Sequence, residues 1–108
     1  MIWMIHMEEL SLSQLQLEDQ FLVGEAERAL AGGYGPYSKI QVGCAVRSSS
    51  QKVYLGANMD NASFGMTICA ERSALGGANT FQDRDIVALA VMGKLVGGES
   101  TVPTCPCG

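Results

Sequence analysis

The sequence predicts an α/β domain with a mixed β-sheet, built from a β-hairpin and a βαβ unit. Three observations support this prediction. Apolar residues recur at helical spacing between residues 15 and 30, they alternate along residues 40–46, and they form an unbroken run over residues 86–92. These patterns are typical of an amphipathic helix, a strand with one buried face, and a strand covered on both faces.

Composition limits the classes of function. The chain has 108 residues, enough for one small domain, and a net charge of −4 that disfavours a large basic surface for nucleic acid. No apolar run approaches the roughly 20 residues that span a bilayer. Residues 1–10 are expected to be a flexible N-terminus, and the apolar residues 1–7 are too few for a signal peptide. These features predict a cytoplasmic protein without a membrane or nucleic-acid partner.

The first helix is predicted to begin after Ser11, which would act as N-cap, with Gln14 completing a capping box. Gly32 and Gly33 would end this helix. Gly24 lies in its interior, where glycine costs about 1 kcal/mol relative to alanine, so we expect close packing there. The apolar residues that define the buried face are Leu15, Leu22, Ala26, Ala29 and Leu30.

Two strands joined by the polar turn at residues 48–51 follow, and together they predict a β-hairpin. In the first strand, residues 40–46, Cys44 belongs to the apolar set. This position indicates that Cys44 is a buried small hydrophobe rather than a metal ligand. Residues 53–57 form the second strand, in which apolar residues again alternate with others.

A second helix is predicted over residues 69–79, because alanines recur along one side of that stretch. The apolar run at residues 86–92 then completes a βαβ unit with the strand at residues 53–58, and such a unit should be right-handed. Residues 93–104 are expected to form a loop, and Pro106 could be the first residue of a third helix.

The βαβ order brings three distant segments to one edge of the sheet, where ligands bind in open α/β proteins. Asn58 and Asp60 follow a strand, Cys69 and Glu71 start a helix, and Cys107 follows the last strand. A helix N-terminus stabilises a thiolate, the form that binds zinc, and the carboxylate of Glu71 could move protons. Asn58 and Asp60 would also suit an ordinary turn. The four cysteines predict metal binding or free thiols rather than disulfides.

Four blocks of residues resemble the small zinc-dependent cytidine deaminases that act on nucleosides. The resemblance runs from about residue 12 to the end, and the Cys-Ala-Glu-Arg block is its most specific part. The blocks are Pro36-Tyr37-Ser38 with Val42-Gly43, residues 56–63, Cys69-Ala70-Glu71-Arg72, and Pro106-Cys107-Gly108. The resemblance implies a three-layer α/β/α fold and the homotetramer that is typical of this family.

The resemblance also implies a role for each residue of the site. Cys69 and Cys107 would bind Zn²⁺, Glu71 would be the catalytic proton carrier, and Arg72 would donate hydrogen bonds to the thiolates. The residues implied to bind substrate are Asn58, Asp60, Ile40 and Ala70. The implied reaction is hydrolytic deamination of cytidine or deoxycytidine to the uridine product and ammonia, a step of pyrimidine salvage.

The implied chemistry is physically consistent. Zinc makes hydroxide available near neutral pH, and hydroxide attacks C4 of cytosine. Glu71 would take the proton from water, pass it to ring N3 and later protonate the leaving amine. Three thiolates around the metal leave a negatively charged site, which the N-termini of two helices and Arg72 would offset.

The chain departs from the family pattern in several places. The family's third zinc ligand is the second cysteine of Pro-Cys-x-x-Cys, which would lie beyond Gly108. The domain at residues 11–108 is therefore expected to be C-terminally incomplete, with closing strands missing and an open sheet edge. Cys105 is an alternative third ligand, although a C-x-C pair across a proline seldom binds one metal through both sulfurs. Asp60 stands where the family has glutamate, and Ile40 where it usually has phenylalanine.

Two other hypotheses stay open. One is an inactive truncated deaminase-like protein that binds nucleoside weakly or associates with full-length subunits. The other is a deaminase that acts on a modified nucleoside or on nucleic acid, which the net negative charge and the Asn58–Asp60 pair disfavour. Zinc bound at about one ion per chain would argue against the inactive protein.

Overall fold

The structure is a computed structural model that describes residues 15–63, 66–98 and 100–103. Within these residues, the chain forms two α-helices and four β-strands. Their order is α1 (Leu17–Ala29) with a 3-10 turn (Leu30–Gly32), β1 (Ile40–Ser48), β2 (Val53–Ala57), α2 (Ala70–Thr80), β3 (Ile86–Leu95) and β4 (Val102–Pro103).

The four strands form one sheet in the order β2-β1-β3-β4. Each described pair of neighbours is antiparallel, and Cys44 on β1 lies opposite both Gly56 on β2 and Val91 on β3. The α/β class and the hairpin are therefore confirmed. The predicted βαβ unit differs in one respect. β2 and β3 run parallel to each other but are not neighbours in the sheet. β1 lies between them and pairs with both.

The two helices cover opposite faces of the sheet, which gives three layers. On the α1 face the buried residues are Leu22, Ala26, Leu30, Ala45 and Met92. On the α2 face they are Cys44, Val46, Ala70, Ala74, Ala78 and Val91. The predicted alanine face of α2 and the predicted burial of Cys44 are thus confirmed.

Two glycines allow the helices to approach the sheet closely. A Cβ atom at Gly43 on β1 would collide with the backbone of α1 at Ala26, and one at Gly56 on β2 would collide with the backbone of α2 at Ala74. A side chain at either position would push a helix away from the strand it covers. These contacts fix the start of α2 against the end of β2.

The predicted start of the first helix is wrong. α1 begins at Leu17 with Gln16 as N-cap, whereas Ser11 and Gln14, the predicted capping box, lie outside the described residues. The backbone of Gln16 is extended, and its carbonyl accepts the N–H groups of Asp19 and of Gln20 at 3.0 and 2.9 Å. These bonds start the helix without a side-chain cap. The negative charge of Asp19 in the first turn interacts favourably with the positive end of the helix dipole.

The expected close packing at Gly24 is also wrong, because no described atom lies within 4 Å of a Cβ built there. The same is true of Gly76 and Gly77 inside α2. These three glycines therefore carry the entropic cost of glycine in a helix without a packing gain from the described part of the chain.

The end of the sheet also differs from the prediction. β3 continues to Leu95, and Val102 pairs with Gly93, so residues 93–104 are not entirely a loop. Pro106 and the third helix predicted there lie outside the described residues. β3 is not covered on both faces along its length either. Val87 and Leu89 are 54% and 40% exposed, and α2 packs on β1 and β2.

None of the helices in the described residues combines the length and the apolar character that a membrane span requires.

Candidate functional site

The start of α2 is built by the segment that precedes it. Ile68 and Met59 exchange backbone hydrogen bonds of 2.9 and 3.0 Å, which tie the chain after β2 to the chain before α2. Cys69 is the N-cap of α2, with extended backbone angles, and its carbonyl accepts the N–H of Ser73 at 3.1 Å. Cys69 therefore lies where the unpaired N–H groups and the positive end of the helix dipole favour an anion.

A cavity of about 200 Å³ lies at this helix start. It contains six of the predicted site residues: Ile40, Asn58, Asp60, Cys69, Ala70 and Glu71. Four further residues complete its lining: Ser38, Val42, Thr67 and Ile68. Segments more than 30 positions apart in sequence thus line one cavity, as the topology of the sheet led us to expect.

Sheet direction explains this convergence. β1 is antiparallel to both β2 and β3, so its first residue, Ile40, lies at the same edge as the last residues of its two partners. Ile40 is opposite Leu95, and Gly43 is opposite Ala57. The chain leaves β2 at this edge through Asn58 and returns to it at the start of α2.

Asn58 is buried and hydrogen-bonded at both ends of its amide. Its Oδ1 atom accepts the backbone N–H of Val42 at 2.8 Å, and its Nδ2 atom donates to the carbonyl of Ile40 at 3.0 Å. The amide therefore continues the pairing of β2 with β1 by one side chain after the strand itself ends. It fixes the two apolar residues of β1 that line the cavity.

The carboxylate of Asp60 binds a neighbouring loop. Its Oδ2 atom accepts the backbone N–H of Ser38 at 2.8 Å, the hydroxyl of Ser38 at 2.8 Å and the backbone N–H of Tyr37 at 3.3 Å. The N–H and the hydroxyl of Ser38, followed by the N–H of Tyr37, hold the pKa of Asp60 below its ordinary value. Asp60 is thus held in its charged form.

A buried carboxylate lines the cavity, and a buried thiol packs in the core next to the start of α2. Glu71 is only 8% exposed, although carboxylates are rarely buried in proteins. Cys44 on β1 packs against Ala70 in the same core. Burial raises the pKa of the Cys44 thiol to about 12, with smaller contributions from the nearby charges of Glu71 and Cys69. Cys44 is therefore a neutral thiol near neutral pH.

Three residues named from the sequence are not brought to the cavity. Cys107, and its alternative Cys105, lie outside the described residues. Arg72 is exposed on α2 and does not line the cavity. Within residues 15–63, 66–98 and 100–103, no group of three His, Cys, Asp or Glu side chains could hold a metal ion. The described part of the site supplies Cys69 as one soft ligand of the kind that zinc prefers.

No site role was predicted from the sequence for Ser38, Val42, Thr67 or Ile68, although Ser38 and Val42 belong to a block that carries the resemblance. Val42 could have been inferred, because it lies two residues after Ile40 on the same face of a strand. Thr67 had a weaker signal as a polar residue just before a helix. Its hydroxyl accepts the N–H of Asn61 at 3.1 Å, which closes the loop between β2 and α2. Nothing in the local sequence indicates that Ser38 contacts Asp60.

A second cavity of about 440 Å³ adjoins the first. Ser38, Asp60 and Thr67 line both cavities. The remaining lining residues of the second cavity are Tyr37, Asn61 and Ala62. The contact between Asp60 and the loop at Ser38 therefore forms part of the wall that the two cavities share.

Comparison with known proteins identifies relatives. A sequence model of the cytidine and deoxycytidylate deaminase zinc-binding region matches residues 16–108. The cytidine deaminase of Halalkalibacterium halodurans is 44% identical over 92 residues, which make up 85% of this chain and 66% of that protein. The cytidine deaminase of Sporosarcina psychrophila is 38% identical over 87 residues, or 81% of this chain and 60% of that protein. The chain thus spans less than two thirds of the length of these relatives.

A solved structure agrees with the sequence matches. The crystal structure of cytidine deaminase from Mycobacterium tuberculosis superposes with a TM-score of 0.73 at 33% sequence identity. The superposition covers 86% of this chain and 72% of that one. The three-layer arrangement of helices and sheet described above is therefore shared with a cytidine deaminase.

Proposed function

The chain belongs to the family of cytidine and deoxycytidylate deaminases, and we propose that it catalyses zinc-dependent hydrolysis of cytidine or deoxycytidine to the uridine product and ammonia. One observation carries this proposal. A single cavity at the N-terminus of α2 is lined by a thiol, a buried carboxylate and two polar residues that follow β2, namely Cys69, Glu71, Asn58 and Asp60. A deaminase needs these groups for metal, proton transfer and sugar.

We propose that Cys69 and Cys107 hold the zinc ion. The position of Cys69 supports this role, because the N-terminus of α2 stabilises the negative charge of a thiolate ligand. Zinc, when bound, makes hydroxide available from water near neutral pH. Arg72 is proposed to offset the negative charge of the thiolates, although its guanidinium does not line the cavity.

Glu71 is the proposed proton carrier of the reaction. Its carboxylate would accept one proton from water and deliver it to ring N3, then accept the proton of the new C4 hydroxyl and pass it to the departing amine, so that ammonia leaves and Glu71 is again a carboxylate. Burial supports this role, because bulk water is kept away from the carboxylate that would act on the substrate.

Four residues are proposed to bind the nucleoside. Asn58 and Asp60 would bind the sugar with amide and carboxylate groups. Ile40 offers an apolar wall for the base, and the small side chain of Ala70 leaves space for the base at the helix start. We also propose a homotetramer, a place in pyrimidine salvage and a cytoplasmic location, as expected from the resemblance and the composition.

The test is an assay of the purified chain with zinc. We expect about one zinc per chain and a fall in cytidine absorbance as uridine forms. The E71Q variant should retain zinc but lose roughly 10²–10⁴-fold in kcat, since proton transfer is removed. The C69A variant should lose zinc, whereas D85N, which changes an exposed carboxylate outside the cavity, should match the wild type.

A second arm uses a chimera in which the 92 matching residues of this chain replace those of the Halalkalibacterium halodurans relative, because the chain spans 66% of that protein. Turnover in this chimera that disappears with E71Q supports the proposed residues in this chain. The proposal is wrong if neither the chain nor the folded chimera binds zinc and deaminates cytidine. Zinc binding without turnover in both forms would favour a non-catalytic deaminase-like protein.

A further inference from the structure

The segment from Tyr37 to Val42 forms one wall of the candidate site, and it is held by side chains that follow β2. Asp60 binds the first part of this segment through Tyr37 and Ser38. Asn58 binds the second part, through the backbone at positions 40 and 42. Ten residues line the smaller cavity. Three of them belong to this segment, and three more are Asn58, Asp60 and Thr67.

The backbone of this segment is already constrained where the two anchors meet. Lys39 has a positive φ of 64°, which is unusual for a residue with a side chain. Its N–H donates to the carbonyl of Gly35 at 2.9 Å, and its own carbonyl accepts the N–H of Val96 at 2.9 Å. A tight turn therefore presents both Tyr37 and Ser38 to the carboxylate of Asp60, and that turn is connected to the end of β3.

The two oxygens of the Asp60 carboxylate differ in their surroundings. Oδ2 accepts three hydrogen bonds from residues 22 and 23 positions earlier in the chain. Oδ1 accepts no hydrogen bond from the described part of the protein. A carboxylate has lone pairs for about four hydrogen bonds, so Oδ1 can still accept one from a ligand hydroxyl.

We propose that Asp60 is a positioning residue, whose Oδ2 atom holds the Tyr37–Ser38 turn as the wall shared by the two cavities and whose Oδ1 atom is left for the ligand. The side chain of Asp60 is shorter than that of glutamate, the family's residue at this position. The shorter side chain is suited to this task, because the carboxylate stays close to the backbone N–H groups that it binds. The identity of the ligand rests on the proposed function. The anchoring of the turn does not.

The first test measures amide hydrogen exchange in the ligand-free chain. Replacing Asp60 with asparagine keeps the shape but removes the charge, and a neutral amide is a weaker acceptor. We expect the amides of Tyr37 and Ser38 to exchange about tenfold faster in D60N, since a hydrogen bond to a charged group is lost. The amides of Met59 and Ile68, which bond to each other, should not change.

Matched variants give the controls. D85N makes the same chemical change at an exposed carboxylate that does not line either cavity, and it should leave exchange at Ser38 unaltered. S38A removes one of the three donors to Oδ2 and should speed exchange at Tyr37 and Ser38 by less than D60N does. D60E keeps the charge and should restore part of the protection. Equal exchange in D60N and D85N, with both folded, overturns the proposal.

The second test separates positioning from direct contact with the sugar. If Asp60 only binds the sugar, D60N weakens binding of cytidine but not of the free base cytosine. If Asp60 also positions the wall, D60N weakens binding of cytosine as well, although by less than that of cytidine, and it raises KM more than it lowers kcat. Should the wild-type chain bind neither probe, the proposed function fails, while the exchange result still decides whether the turn is anchored by Asp60.

Discussion

At the scale of single residues, Cys44 is a core side chain that packs next to the candidate site. Its thiol is fully buried beneath the start of α2, and burial followed by the charges of Glu71 and Cys69 raises its pKa from 9.0 to about 12. Cys44 is therefore a hydrophobic packing group that lies close to the proposed catalytic groups without being one of them.

This shift predicts a loss of stability in alkali. The folded chain keeps the Cys44 thiol protonated up to about pH 12, whereas the unfolded chain releases the proton from about pH 9. The stabilising contribution is therefore complete below about pH 9 and is lost as the pH rises towards 12. Urea unfolding at about pH 7.5, 9 and 10 should show a steeper decline for the wild type than for C44A. Parallel declines would contradict the assigned pKa.

Replacing glycine with alanine is expected to have opposite effects on the free energy of unfolding at two positions. No described atom lies near the Cβ position of Gly76 in α2, so G76A should raise the free energy of unfolding by about 0.5–1 kcal/mol. G43A should lower it instead, because the new methyl group would collide with the backbone of α1. Urea unfolding of both variants measures the two changes, and a stabilised G43A protein would show that α1 packs elsewhere.

At the scale of elements, a carboxylate fixes the end of the sheet opposite the candidate site. Oδ2 of Asp83, in the connection between α2 and β3, accepts hydroxyl hydrogen bonds from Ser48, Ser50 and Tyr54 at 2.7, 2.8 and 2.9 Å. The hairpin is thereby tied to the crossover connection. Hydrogen bonds from Ser48 and Ser50 lower the pKa of Asp83.

The lowered pKa of Asp83 predicts acid sensitivity of this connection. A carboxyl with a depressed pKa in the folded state stabilises the protein above its ordinary value of 3.8, and this contribution is lost as the pH falls through the folded value. The melting temperature should therefore drop less steeply between about pH 5 and pH 2 in D83N than in the wild type. D85N serves as the control and should follow the wild-type curve.

Some elements could be predicted from their own residues and others could not. α2 was predicted nearly to its ends, because alanines at positions 70, 74 and 78 mark one face at helical spacing. The start of α1 was missed, since Ser11 and Gln14 have the form of a capping box while backbone hydrogen bonds to Gln16 decide where the helix begins. The coverage of β3 was missed because it depends on where α2 lies, which the sequence of β3 does not contain.

At the scale of the whole molecule, the two helices cover the sheet unequally. α1 packs across β1, β2 and β3, while α2 packs on β1 and β2. On β3, Val91 is 8% exposed in the core under α2, whereas Val87 is 54% exposed at the register shift opposite Arg47 and Ser48. The same type of residue on one strand thus has two environments, one inside the core under α2 and one exposed.

This asymmetry predicts unequal costs for equal substitutions. V91T places a hydroxyl in the apolar core and should lower the free energy of unfolding by about 1–3 kcal/mol. V87T should change it by less than about 0.5 kcal/mol, because the hydroxyl remains in water. Chemical unfolding of the two variants measures the difference. Equal costs would mean that Val87 is covered in solution by something that the described residues do not include.

The location of the site was predictable from topology, whereas its full composition was not. The direction of the strands and the start of α2 place Asn58, Asp60, Cys69 and Glu71 around one cavity, as expected from the order of elements. The contribution of Ser38 depends on a turn with a positive φ at Lys39 and on long-range hydrogen bonds to Asp60. Such contacts become visible only when the loop geometry is known.

The central position of β1 has a consequence for how the protein folds. Cys44 pairs with Gly56 twelve residues later and with Val91 forty-seven residues later. Nearby contacts close small loops quickly, whereas distant contacts carry a larger entropic cost and form later. The hairpin can therefore assemble while the ribosome is still synthesising the chain, and the other edge of β1 stays unpaired until β3 has emerged. During that interval, the unpaired N–H and C=O groups of β1 can pair with a strand of another chain.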